Sequence, residues 1–216
     1  MKTSSKYVIV TDTETGGLPS KEKRAFYEIP LIEMTACVVD MESLSICEEI
    51  DIMLPDEYKE NLIYSPQAEE VHKITKAVRQ ANGKPLKECM SMVLDLFKKY
   101  KNPRQGITMV AHNYQFDKPF IDNFFSYMEK DLSEYVKYWL DTMQIAHMAF
   151  LESTDYKLHT CCAKFGIDLV DAHRSSTDTR ATANLFIEYI KKLRGEGTSN
   201  NVEAKGPRYR EKFQLL

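Results

Sequence analysis

Asp12 and Glu14 stand two residues apart at the end of a β-branched and aromatic run, Lys6 to Glu14. Side chains alternate along a strand, so both carboxylates project from the face that carries Val8 and Val10. Like charges held that close repel, and such a pair is tolerated where water or cations neutralise it; hard oxygen donors suit Mg²⁺ or Mn²⁺. Taken alone, an acidic pair beside a turn also reads as a solvated strand end. Asp117 follows an apolar run ending at Ala111 and the polar His112 and Asn113, at the head of the stripe Phe116, Phe120, Ile121, Phe124. There it serves equally well as a helix N-terminal cap. His173 and Asp178 lie just before and at the start of the last periodic stretch, where Ser176 or Thr177 offers a cap. Each feature has an ordinary structural role of its own. Together, four carboxylates and one imidazole fall at the ends of core elements, where a fold can gather them without disturbing its packing.

The elements that must position them are legible in the pattern. Lys6 to Glu14 reads as a strand broken by Gly16, Gly17 and Pro19; Leu31 to Val39 is a second, and Ile46, Ile50, Ile52 and Leu54 alternate as a third. Ser65 before Pro66 signals a helix start, and Pro85 precedes Leu86, Cys89, Met90, Val93, Leu94 and Phe97 at helical spacing. Gly106 to Ala111 is a buried strand, followed by a helix starting at Asp117. Asp141 to Gln144 has the form of a capping box, Leu158 to Phe165 is a helix stopped by Gly166, and Ala181 to Leu193 is the last helix, ended by Gly195. A strand meander followed by helix-connected strands fits a mixed α/β sheet covered by helices.

With 216 residues and 43% hydrophobic content the chain suits one domain with a real core. Residues 1–194 are expected to form it, and 195–216 a basic, flexible tail. The five cysteines, Cys37, Cys47, Cys89, Cys161 and Cys162, are scattered and unpaired in spacing, which excludes a disulfide framework or zinc ribbon and leaves reduced thiols in packing positions. No window is apolar enough for a membrane helix and Tyr7 to Val10 is too short for a signal-peptide core, so a soluble cytoplasmic protein with no membrane partner is expected. The net charge is -3, and from Lys191 onward there are seven basic against three acidic residues, so the body is the acidic part. Global basicity therefore cannot hold a nucleic acid; any polyanion must be held locally.

Asp12-Thr13-Glu14-Thr15 followed by Gly17-Leu18, Ala111-His112-Asn113 leading to Phe116-Asp117, and Ala172-His173 with Asp178 resemble, in order, the three motifs of the DEDDh 3′→5′ exonucleases. Ile32-Glu33, Val71-His72 to Thr75, Asp141-Thr142 and Leu158 to Ile167 extend the likeness over roughly residues 7 to 194. The resemblance implies an RNase H-like fold with a mixed sheet of about five strands flanked by helices, and a site for two Mg²⁺, with Mn²⁺ as substitute. It also implies that Asp12, Glu14, Asp117 and Asp178 hold the ions, that Asp12 bridges them, and that His173 takes a proton from the attacking water. Four carboxylates against two dications leave a site neutral enough to accept a phosphate, which reconciles an acidic chain with a nucleic-acid substrate.

By the same resemblance Thr15, Gly16, Gly17 and Leu18 form the terminal-nucleotide pocket, with Asn113 and Phe116 along the substrate path. Their plain alternatives are a strand-to-helix turn and, for Phe116, the core. His72 is expected to pack, Asp141 to cap, and His112, His147 and His159 to have no catalytic part. The expected partner is nucleic acid with a free 3′ end, DNA in preference, for proofreading or end trimming. An exoribonuclease processing RNA 3′ ends uses the same residues. A silent binding module would lack at least one of the five, and an unrelated α/β protein would not explain their order. The tail ending Phe213-Gln214-Leu215-Leu216 offers a peptide for a polymerase or other replisome component.

Overall fold

A computed structural model describes residues 6–56, 58–169 and 174–195. Five strands, β1 (Tyr7–Thr15), β2 (Leu31–Asp40), β3 (Ser45–Met53), β4 (Ile107–Ala111) and β5 (Val136–Asp141), form one sheet in the order β3-β2-β1-β4-β5. The first three pair antiparallel as a meander, while β4 and β5 run parallel to β1. Among the described residues seven α-helices accompany them: α1 (Pro66–His72), α2 (Lys76–Asn82), α3 (Leu86–Tyr100), α4 (Tyr114–Tyr127), α5 (Thr142–Ala149), α6 (Leu158–Ala163) and α7 (Ser175–Arg194). This is the mixed, helix-flanked five-strand sheet of the RNase H-like type. No helix among the described residues is long and apolar enough to cross a membrane.

Alternation along β1 builds two cores. Ile9 faces a layer with Val93 and Phe97 of α3 and Phe120 and Phe124 of α4, whereas Val8 and Val10 face Ala183, Phe186 and Ile187 of α7. The second face is the one that Asp12 and Glu14 share. Nine of the ten residues of β2 are buried, since it is covered on both sides, which is why its apolar pattern runs on without alternating. The described cysteines are all free thiols, four of them buried.

Several boundaries differ from the pattern reading. α4 begins three residues before Asp117, after Asn113 in the left-handed region at φ 69°, so Asp117 lies inside the first turn and does not cap it. No side chain caps α7 from Ser176 or Thr177; Arg174 occupies the cap position and contributes no capping bond. α2 and β5 went unread, because α2 is a short helix with little apolar period, announced only by Thr75 accepting from the Val78 N–H, and Val136–Asp141 carries exposed Tyr138 and Leu140 where alternation would place polar groups. The Ser20 to Pro30 segment is pinned, with Ala25, Phe26 and Ile29 buried in the larger core.

Asp141 does cap α5, accepting from Met143 N–H at 2.8 Å, and it also accepts from Asn113 N–H at 3.0 Å, tying the end of β5 to the turn that opens α4. Asp141→Ala is expected to cost about 0.5–2 kcal/mol, a lost cap together with the lost bond from Asn113 N–H, or about 2–4 °C of melting temperature per kcal/mol. Thermal unfolding followed by circular dichroism checks it, and an unchanged midpoint removes the tie.

Candidate active site

Strand pairing, a helix start and a helix first turn converge at the C-terminal ends of β1 and β4. Asp12, Glu14 and Asp178 each offer an oxygen, and these atoms lie within 4.8 Å of one another. The first two come from adjacent same-face positions of β1 and the third from the first turn of α7, which packs on that face. Asp117 stands beside this group from the opposite layer. Thr13, the residue between the two acids, points to the α4 face and donates its hydroxyl to Asp117 Oδ1 at 2.7 Å. One strand alternation thus serves both sides: Asp12 and Glu14 toward α7, Thr13 toward α4.

The electrostatics are those of acids short of cations. Burial, and then the charges of Asp117, Glu14 and Asp178, push the Asp12 carboxyl well above the ordinary carboxylate range. Burial and then Asp178 and Glu33 raise Glu14 to about 8, with Arg174 opposing. Asp117 is pushed up to about 7 by burial against the hydrogen bond from Thr13. The described donors of the group are carboxylate oxygens alone, a hard set at a spacing one ion can span, so the residues fit a divalent cation of the magnesium class and not a soft metal. The acids' mutual repulsion is the energy such an ion would relieve.

Glu33 is the residue that sequence reasoning left without a role. It lies opposite Glu14 in the β1–β2 register and is fully buried. Its carboxylate accepts from Arg174 Nη2 at 3.0 Å and from the Ser175 N–H and hydroxyl at 3.1 Å each. The Ser175 hydroxyl also meets Thr35 Oγ1 at 2.7 Å. The start of α7, and with it Asp178 in the same turn, is therefore fastened to β2 by buried charge-assisted hydrogen bonds. An acid inside an otherwise apolar strand was the available signal. His173 lies outside the described residues, as does the 196–216 tail.

The soft candidates divide. Gly16 lies against Pro30, where a Cβ would come within 2.4 Å of Pro30 Cγ; its N–H bonds Pro30 O and its carbonyl accepts from Ser65 N–H. Thr15 Oγ1 donates to Gly17 O at 2.9 Å, and Leu18 is 77% exposed. The turn is therefore a junction of three chain segments presenting an apolar side chain outward, and it leads into no helix. Asn113 is exposed beside the site, whereas Phe116 packs on the larger core and meets Phe120 at 5.5 Å between ring centroids. His72 is buried and accepts from Ile74 N–H, the packing part expected of it, and His112 is bonded to Thr142 and Tyr156 O.

Residues 9–186 match the RNase T family, described as exonuclease. Among curated proteins, the PolC-type DNA polymerase III of Bacillus cereus is 32% identical over 103 residues, 48% of this chain and 7% of that one. The Bacillus subtilis polymerase of the same type is 30% identical over 114 residues, 51% of this chain and 8% of that one. The chain thus spans under a tenth of the length of these relatives. Among solved structures, the nuclease domain of 3′hExo, a DEDDh family member, bound to rAMP superposes with a TM-score of 0.68 at 14% identity, covering 87% of this chain and 93% of that one. E. coli exonuclease I in complex with a dT13 oligonucleotide superposes at 0.66 with 18% identity, covering 87% and 41%.

Proposed function

The chain belongs to the RNase T exonuclease family, and on that footing we propose that it hydrolyses the terminal phosphodiester of a strand with a free 3′ end, releasing nucleoside 5′-monophosphates, with DNA preferred and proofreading or end trimming as its use. The observation that carries the reading is the gathering of the Asp12, Glu14 and Asp178 oxygens within 4.8 Å, with Asp117 tied alongside through Thr13. Asp12, Glu14, Asp117 and Asp178 hold two Mg²⁺ or Mn²⁺ in this proposal. When bound, the pair of cations neutralises charge on the attacking and leaving oxygens of an in-line displacement. Asp12 would be the ligand between the two sides of the site, because one of its oxygens is grouped with those of Glu14 and Asp178 while Asp117 is the charge it feels most strongly.

Thr13 keeps the Asp117 carboxylate aimed, and Glu33 keeps the α7 turn that carries Asp178 against β2. An imidazole nitrogen of His173 takes the proton of the attacking water. The Thr15–Leu18 turn holds the terminal nucleoside, with Leu18 against the last base and Asn113 lining the path. DNA is favoured because the polymerase relatives act as DNA polymerases by name.

Incubating 5′-labelled single-stranded and duplex DNA and RNA with Mg²⁺, Mn²⁺ or EDTA tests polarity, cofactor and sugar together. A ladder shortened from the 3′ end on DNA, abolished by EDTA, is the expected result. A ladder on RNA alone transfers the reading to 3′-end processing of RNA, and hydrolysis in EDTA defeats the cation assignment.

A further inference from the structure

A groove of about 520 Å³ runs along α7 toward its C-terminal end. One wall is the β2–β3 turn and the start of β3, with Leu44 and Ile46; the other is the segment after α6, with Phe165 and Ile167; Ile187 of α7 lies between them. Asn184, the groove residue of α7 that comes first after Asp178, stands six residues on, about 9 Å along the helix axis. The hydrolysis proposed above uses none of these side chains.

We infer that this groove is the docking site of the chain's own Phe213-Gln214-Leu215-Leu216 segment, which returns to α7 after the chain has left it. The path of the chain brings the two together. Arg194, the last residue of α7, donates from Nη2 to Met41 O at 2.8 Å, and Gly195, left-handed at φ 73°, closes the helix. The chain therefore leaves beside the β2–β3 turn that forms one wall. Measured back from Gly195, the groove residues of α7, Lys191 to Asn184, lie about 6 to 16 Å along the axis. Residues 196–212, seventeen in all, separate Gly195 from Phe213. A coil of that length has a root-mean-square span of about 20–25 Å. Span and distance are matched, which puts the segment over the groove at an effective concentration on the order of 1 mM. A contact with a Kd of about 0.1 mM between separate molecules would then be filled about nine-tenths of the time within one chain.

The chemistry of the groove fits that occupant. Leu44, Ile46, Phe165 and Ile167 are half-buried, so they leave apolar surface for Phe213, Leu215 and Leu216. The surface is set in advance. Phe165 stands edge-on to Tyr189 at 5.4 Å between centroids, with Lys192 Nζ over its ring at 4.5 Å. Leu44 holds a left-handed φ of 52°, uncommon for a bulky residue, with its side chain packed on the core that α7 shares with β1 and β2. A preformed surface spares the ordering cost of binding. Exposed Asp168 and the Glu188–Lys191 pair, 2.6 Å apart, edge the groove. Ahead of Phe213 the chain carries Lys205, Arg208, Arg210 and Lys212 against Glu211, a net +3. The acidic body thus attracts the stretch that leads into the groove.

Disulfide trapping in the full chain tests the docking. Cys47 is the exposed one of the five cysteines, so Cys47→Ser supplies the background. Gln214→Cys is combined with Asn184→Cys at the groove, or with Ser126→Cys on α4 in the opposite layer as control. Asn184 and Ser126 are both exposed, so the fold tolerates either change. Under a mild oxidant the monomeric disulfide is expected to form about tenfold faster or more at Asn184→Cys than at the control. Adding Phe213→Ser and Leu216→Ser should bring the groove chain down to the control rate. Equal rates at groove and control, or a groove rate unmoved by Phe213→Ser and Leu216→Ser, overturn the docking. So does a disulfide-linked dimer as the main product, which seats the segment on a second copy.

Discussion

Asp12→Asn is expected to abolish measurable hydrolysis, a loss of about 10³-fold or more, while raising the stability of the chain in EDTA at pH 8. Both effects have one origin. The metal-free site holds Asp12, Glu14 and Asp117 above the ordinary carboxylate range, Glu14 to about 8 and Asp117 to about 7. Unfolded carboxylates release their protons near pH 4. From there to about pH 8 the folded chain binds more protons than the unfolded one, so the metal-free fold loses stability as pH rises through that window; below about pH 4 the difference is gone. Replacing Asp12 removes the central repelling charge and should recover about 1 kcal/mol or more at pH 8.

Melting curves at pH 5 and pH 8, with EDTA or Mg²⁺, read this directly. Wild type should melt lower at pH 8 than at pH 5 in EDTA and gain strongly from Mg²⁺. The variant should show a shallower pH slope, a smaller gain from Mg²⁺ and a higher midpoint than wild type in EDTA at pH 8. Normal hydrolysis by the variant, or a wild-type midpoint indifferent to Mg²⁺, defeats the assignment.

The fold was legible where two periodicities compete openly. β1 and β2 carry apolar runs, β3 alternates, α3 and α7 carry a clean helical stripe, and Gly195 ends α7 in the left-handed conformation its position suggests. β5 was hidden because an edge strand with Lys137, Tyr138 and Leu140 facing outward lacks the polar alternation of a half-buried strand. In the site, strand alternation puts Asp12 and Glu14 on one face, whereas Asp117 and Asp178 join them only through the order of the three motifs. Glu33 was noticed as part of a motif and given no task. Its partners, Arg174 and Ser175, are about 140 residues away, and nothing local says that a buried acid in β2 receives the start of α7. Thr13 was passed over for the same reason, since its use depends on which layer supplies Asp117. The acids thus point to a site only in combination, and the residues that aim them are visible only with the layers in place.

His173→Ala is the complementary test, since it should remove chemistry and spare binding. Proton transfer by a positioned imidazole contributes about 10²–10⁴-fold, so kcat is expected to fall by that factor with little change in KM for an oligonucleotide. The shift in melting temperature produced by Mg²⁺ or Mn²⁺ should persist, because Asp12, Glu14, Asp117 and Asp178 are intact. With saturating cation the ligating carboxylates are held deprotonated, which leaves the imidazole as the group that sets the acid limb of kcat. That limb should be present in wild type and flatten in the variant. Added free imidazole should restore part of the rate in the variant and none in Asp12→Asn, for a mobile base can replace a missing proton acceptor but not a missing ligand. Arg174, the next residue, is fastened to Glu33 at 3.0 Å, so Glu33→Gln should lower kcat by a route that imidazole does not rescue. Near-normal turnover by His173→Ala, or equal rescue of both variants, would remove the imidazole from its role as base.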